Sequence, residues 1–329
     1  MAEIAGSTTT YDMSASNRED LWDVISNLSP TERPFTQNIS RIKANATAHS
    51  WLTDTYAAAN SNRQLEGDVT TFATAIAITK LTNTCQIAKK AFVISGTQEA
   101  VSKAGRKSEI KYQLQKAGSE LLRDIEWSAL SAQVGSAGSQ TVARQMAGAE
   151  AWIPSTDNSG NGVRGGGADS SGSTAAYTSP GGGVVTDGTN TALTSTGLLT
   201  ALGLAWTDGG DIDTIMTNTF QRSKIRSFGN LATNQIQLNK SGEAAKLVDS
   251  VEVYVTDYGK HKLVLNRFMR PETVMCFQMD TWALAELRPM TTEVLAKTGD
   301  GESRHVLWEG TLVCRNPDVN AKVSDCSTV

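Results

Sequence analysis

Apolar residues in the first sixty positions fall into two different rhythms. Leu21, Val24, Ile25 and Leu28 recur at i, i+3, i+4 and i+7, which predicts a helix over Arg18 to Leu28. Ser29-Pro30 ends it, because the residue before proline avoids the α region, and Pro34 adds a second stiff point. So short a helix is marginal alone in water and needs a docking surface, on its own chain or on another. Further on, Ala48 to Tyr56 and Ala75 to Ile94 favour strands. In the second, Ala75, Ala77 and Thr79 alternate with Ile76, Ile78 and Lys80. Between them runs the polar stretch AAANSNRQLEGDVTTF, holding Arg63, Glu66, Gly67 and Asp68. The pattern predicts a long two-stranded excursion with a charged tip. An isolated hairpin is barely stable in water, so one this long needs something to lie on. The plainer reading is a hairpin folded onto its own domain.

Gly96 to Val134 carries the longest helical pattern. Ile110, Leu114, Ala117, Leu121, Ile125 and Ala129 share one face. Lys103, Arg106, Lys107, Lys111 and Lys116 crowd its first part, and Glu120, Asp124 and Glu126 follow. That order opposes the helix dipole, which favours acids early and bases late. The basic cluster therefore reads either as a solvated face or as a contact to acidic groups, on a partner or on DNA.

Residues 133–196 are rich in Gly, Ser, Thr and Asn, with few apolar groups outside Val142 to Pro154, which reads as a strand or turn. Residues 155–192 read as a surface insertion, since strand-rich sequence resumes on both sides. Beyond it come a short helix over Leu198 to Trp206 and a buried strand over Asp213 to Thr217. A helix over Phe220 to Phe228 follows, capped by Asn218 or Thr219. Val251 to Thr256 and Lys262 to Phe268 form a hairpin around Asp257-Tyr258-Gly259-Lys260. Val274 to Met279, Glu293 to Lys297 and His305 to Cys314 are further strand candidates. Helices and strands mix without a βαβ rhythm, so the class is α+β.

Composition narrows the chemistry. The net charge of −4 over 329 residues argues against a dedicated nucleic-acid binder. The four cysteines, Cys85, Cys276, Cys314 and Cys326, form no C-x-x-C pair and read as buried, reduced thiols. Neither a signal peptide nor a run of membrane-spanning length is seen, so no membrane association is expected. The three histidines, His49, His261 and His305, lie in separate predicted strands or hairpins. They suggest neither a metal site nor a catalytic triad. Gly160-Asn-Gly162-Val-Arg-Gly165 matches G-x-G-x-x-G in letters but lacks the flanking strand and helix of a dinucleotide site. No catalytic residue, metal or cofactor is expected.

Five stretches, in order, carry a family resemblance: DLWDVISNLSPTERPFTQNI, LTNTCQIAKKAFVISGTQEAV, the lysine-rich helix ending near Ser131, DTIMTNTFQRSKIRSF and WEGTLVCRNPD. The chain resembles the major capsid proteins of tailed bacteriophages, in the subfamily related to SU-type myophage capsids. The resemblance implies the Hong Kong 97-like fold. Residues 1–47 would be an N-terminal arm and 48–92 an extended loop. Residues 93–154 and 292–329 would be a peripheral domain with a spine helix at 97–132. The Gly/Ser-rich insertion would span 155–196 and an axial domain 197–291. The function it implies is self-assembly, as pentamers and hexamers, into an icosahedral virion shell around double-stranded DNA, built in the host cytoplasm. Scaffold, portal and cement proteins would be further partners, and DNA would be held only by weak, non-specific contact. On that reading Leu21, Val24 and Ile25 on the arm, Arg63, Glu66 and Asp68 at the loop tip, and Lys103, Arg106, Lys107 and Lys111 on the spine helix contact neighbouring subunits. A tail or decoration protein, or a Gly-rich surface adhesin, is the alternative.

Overall fold

The computed structural model describes residues 30–70, 72, 74, 76–153, 161–164, 183–228, 253–297 and 299–328. The helix read over Arg18 to Leu28, with Leu21, Val24 and Ile25, lies outside them.

The described chain opens with a short helix, α1 (Pro34–Asn38). Pro34 sits at its start, where a missing N–H costs nothing and the fixed φ suits a helix. Strand β1 (Ser40–Lys43) follows, then β2 (Ala48–Thr53) and β3 (Thr79–Thr84), which pair antiparallel with Trp51 opposite Leu81. The single strand expected over Ala75 to Ile94 is in fact two, β3 and β4 (Gln86–Ser95). The break falls at Cys85, whose N–H turns to the Thr47 carbonyl at 2.7 Å. From there the chain leaves the two-stranded ribbon and enters a different sheet.

The long helix is also shorter than predicted. The expected spine at 97–132 divides into α2 (Gly96–Ala100) and α3 (Glu109–Leu130). Gly105 takes φ +74°, which a helix interior does not allow, and Ser108 then caps α3 by accepting the Lys111 N–H at 3.3 Å. Lys103, Arg106 and Lys107 therefore precede the helix. Its first turn carries Glu109, an acid where the dipole favours one, although Lys111 and Lys116 still precede Glu120, Asp124 and Glu126 along α3. The predicted apolar face holds: Ala117, Leu121, Ile125 and Ala129 are buried.

Between Leu130 and β5 (Gly162–Arg164), the strand or turn expected over Val142 to Pro154 resolves into a bridge between Ser136 and Gln145 and one turn of helix, α4 (Ala149–Trp152). The predicted insertion is partly structural, since β5 pairs parallel with β12 (Ala321–Ser324) and Val163 is buried. The G-x-G-x-x-G letters thus hold an edge strand. Helix α5 (Ser195–Thr207) is longer than read, because Thr194 caps it through the Gly197 N–H at 3.1 Å. Then come β6 (Thr214–Thr217), α6 (Thr219–Arg226), β7 (Val253–Thr256), β8 (Gly259–Leu265) and β9 (Val274–Phe277), close to expectation. Asn218 precedes α6 but makes no side-chain cap; its amide goes instead to the Met269 carbonyl at 3.3 Å. The strands read over Glu293 to Lys297 and His305 to Cys314 are ends of two much longer ones, β10 (Trp282–Val294) and β11 (Gly301–Cys314).

Two sheets organise the molecule. The four-stranded sheet runs β1-β10-β11-β4, with β1 parallel to β10 and the rest antiparallel. The six-stranded sheet runs β5-β12-β9-β6-β8-β7. Strand β12 thus belongs with β9 and β6, not with the terminal strands with which 292–329 was grouped, and β10 already begins at Trp282. Helix α3 packs on β4 and β11, and α5 on β12 and β5. One core gathers Phe35, Leu121, Ile125, Phe277, Trp282 and Trp308. A second gathers Leu198, Leu202, Ile215, Val274 and Val323 around α5. Each such side chain contributes about 1.5–3 kcal/mol on burial.

Candidate assembly surfaces

The loop between β2 and β3 combines a fixed root with an unsupported tip. At the root, Trp51 meets Trp152 with ring centroids 5.3 Å apart, and Leu81 is buried. Asn83, fully buried, donates to the Leu312 carbonyl at 2.6 Å and accepts the Ala147 N–H at 2.9 Å. From Asp54 outward every described residue is exposed up to Lys80. Only local bonds hold the tip: Asp68 N–H to Leu65 O at 3.2 Å, and Arg63 Nε to Ser61 Oγ at 2.9 Å. Gly67 turns the chain at φ +80°, where a side chain would be strained. Arg63, Glu66 and Asp68 are exposed there, as expected. What the charge pattern did not bring out is the apolar load. Tyr56, Leu65, Val69 and Phe72 are between 79% and 101% exposed. Several large apolar groups held in water along one excursion mark a surface meant to be covered.

The basic residues part company. Lys103 Nζ bonds the Glu99 carbonyl at 2.9 Å and lies 3.6 Å from its carboxylate. Arg106 pairs with Glu109 and stacks over Tyr112, 5.2 Å from its centroid. Both are engaged within their own chain, whereas Lys107 and Lys111 stay exposed. Glu99 and Glu109 close the network: Glu99 accepts the Glu109 N–H at 2.8 Å. The Ser108 side chain above all holds the Glu99 carboxyl below its usual range, and Gln113 followed by Arg106 does so for Glu109.

Three buried polar centres escaped the sequence reading. Glu126 on α3 accepts the N–H groups of Phe35 and Thr36 and the Asn266 amide. Glu150 on α4 meets Arg270 at 3.0 Å and Thr273 Oγ1 at 3.2 Å, while Lys322 donates to the Glu150 carbonyl at 3.0 Å. Burial pushes the Glu150 carboxyl up and the Lys322 ammonium down, the latter to about 8. Glu309 on β11 is shared by Arg144 at 2.6 Å and Arg288 at 2.7 Å. Glu126 left a trace in the sequence: it stands four residues after Leu122 and beside Ile125, on the flank of the apolar stripe. Glu150 left none, since its partners are more than a hundred residues away.

No group of His, Cys, Asp or Glu among the described residues is placed to hold a metal. Nor is any helix among them long and apolar enough to cross a membrane. All four cysteines are free and buried. His261 is fixed on both ring nitrogens, Nδ1 to the Ile212 carbonyl at 2.6 Å and Nε2 to Thr256 Oγ1 at 2.8 Å.

A long hairpin sheet crossed by one helix, a second sheet beside it and an excursion with exposed apolar groups define a Hong Kong 97-like shell subunit. Solved structures share the arrangement. The capsid asymmetric unit of cyanophage A-1(L) aligns with a TM-score of 0.68 at 14% identity, covering 97% of this chain and 99% of that one. The capsid of a native GTA particle aligns at 0.63 with 11% identity, covering 98% and 100%. The major capsid protein of Escherichia phage Phieco32 is 26% identical, with 89% of this chain matched to 90% of that protein. The SU10 major capsid protein family matches residues 4–327, and the chain belongs to it. It is a tailed-phage major capsid protein, a structural component of the virion. The readings as a tail or decoration protein and as an adhesin are thereby set aside.

Proposed function

We propose that the subunit closes an icosahedral shell around double-stranded DNA by laying its 54–78 excursion and its N-terminal arm on neighbouring copies. The observation that carries this is the set Tyr56, Leu65, Val69 and Phe72, held almost fully in water on a loop whose root is rigid. Burying four such groups contributes several kcal/mol per subunit, on the order of 1.5–3 kcal/mol each. That is enough to bias association. Arg63, Glu66 and Asp68 would then set register, since charges at a rim govern specificity more than affinity. Lys107 and Lys111 are the basic residues left for an intersubunit or DNA contact; Lys103 and Arg106 would act indirectly, by shaping the turn ahead of α3. Leu21, Val24 and Ile25 would seat the arm. The four-stranded sheet with α3 corresponds to the peripheral domain and most of the six-stranded sheet to the axial domain around the pentamer and hexamer centres. Assembly in the host cytoplasm, with scaffold, portal and cement proteins as further partners, belongs to the same reading. DNA contact would be weak, in keeping with the net charge of −4.

Deleting residues 60–68 tests the loop. The subunit stays soluble and folded, because those residues make no buried contact, but shells do not close. Normal particles in negative-stain images of the deletion would sink the assignment.

A further inference from the structure

Glu126 has no solvent exposure, and its two oxygens serve three donors. Oε1 takes the Phe35 backbone N–H at 2.9 Å and Asn266 Nδ2 at 2.6 Å; Oε2 takes the Thr36 N–H at 2.8 Å. Phe35 and Thr36 stand in the first turn of α1, where N–H groups have no partner inside the helix. A carboxylate, with two acceptor oxygens, is the group that satisfies two such donors together. Helix α1 lies where the arm segment joins the body, and β1 directly after it adds a parallel strand to β10. Asn266 belongs to the other layer: it follows β8 in the six-stranded sheet and is tied by its own N–H to the Thr217 carbonyl at 3.0 Å. One carboxylate on α3 therefore links the arm root, the four-stranded layer and the six-stranded layer.

We propose that Glu126 is a positioning residue for assembly. It fixes the course of the chain at the arm root and couples that course, through the shared Oε1, to the six-stranded sheet. The proposal rests on the reading of the arm as an intersubunit contact. The chemistry is demanding. A glutamine has the same shape but only one acceptor oxygen, so its NH2 group would face a backbone N–H. An aspartate is one methylene too short to span the same donors.

The test uses the full-length chain with Glu126→Gln and, separately, Asn266→Ala. Hydrogen exchange is followed at residues 34–39, and particles are sized by electron microscopy. Glu126→Gln should keep cooperative unfolding and raise exchange at residues 34–39 by ~10-fold or more, the loss of a charged hydrogen bond. Its particles should lose their single diameter to mixed sizes or open sheets. Asn266→Ala should move both readouts the same way but less. Wild-type exchange at 34–39, or uniform particles of wild-type diameter and yield from Glu126→Gln, would overturn the proposal. If Glu126→Gln does not fold, Asn266→Ala decides on the same two readouts, and wild-type behaviour there overturns it. Failure of the wild-type chain to form shells counts against the assembly reading instead, and exchange at residues 34–39 still decides the anchor.

Discussion

Lys322 has no exposed surface and shares its surroundings with Glu150, Arg270 and Asp325. Desolvation brings its ammonium from the usual 10.5 down to about 8, against the pull of Glu150. Below pH 8 both folded and unfolded chains hold the proton, and the buried charge is a net cost to the folded state. Between 8 and 10.5 the unfolded chain binds more protons than the folded one, so this group makes stability rise with pH. The buried thiols oppose it from pH 9 upward. Burial pushes Cys276 and Cys326 up to about 12, so the folded state keeps protons that the unfolded state gives up. The window for Lys322 alone is therefore pH 8 to 9. Lys322→Met should remove the rise in melting temperature there relative to wild type. Identical slopes for the two proteins would contradict the assignment. None of this was legible beforehand: Lys322 reads as one more polar residue near the end of the chain, and only the pairing of β12 between β5 and β9 buries it.

At the scale of elements, local signals were readable and boundaries were not. The stripe Ala117, Leu121, Ile125, Ala129 gave α3 its face, because a 3.6-residue period has one structural meaning. Its start was misplaced because Gly105 and Ser108 were passed over inside a run of good helix formers. That error placed Lys103, Arg106 and Lys107 on a helix they precede, and Lys103 and Arg106, read as contacts to a neighbouring subunit, are held by Glu99 and Glu109 of their own chain. The split of β3 from β4 had no local signal beyond Cys85, since both halves are strand-like; pairing with different sheets decides it. The corrected start of α3 is testable. Ser108→Ala removes the acceptor of the Lys111 N–H and should cost about 1 kcal/mol in chemical unfolding. If the helix instead began near Gly96, Ser108 would lie mid-helix and the change to alanine would be neutral or stabilising.

Over the whole molecule, the loop tip separates folding from assembly. Tyr56, Leu65 and Phe72 are at least 79% exposed, so in the lone subunit they contribute almost nothing to stability. The loop's charges were visible in the sequence, and so was its need for support. The exposure of its apolar groups was not, because a strand-like run such as VTTFATAIAI reads equally well as core. Replacing Tyr56, Leu65 and Phe72 together by serine should leave the melting temperature of the unassembled subunit within a degree or two of wild type. If anything it should become more soluble, since an apolar surface has been removed. Shell yield is the quantity that should fall. Three large apolar groups at on the order of 1.5–3 kcal/mol each amount to a loss of several kcal/mol per subunit contact. Each 1.4 kcal/mol is tenfold in the association constant, so the concentration needed for assembly should rise by more than a hundredfold. Light scattering against subunit concentration, with calorimetry on the same samples, reads both quantities. A fall in melting temperature together with assembly would place these side chains in the subunit's own core. Unchanged assembly would mean that the loop has no partner on the neighbouring copy.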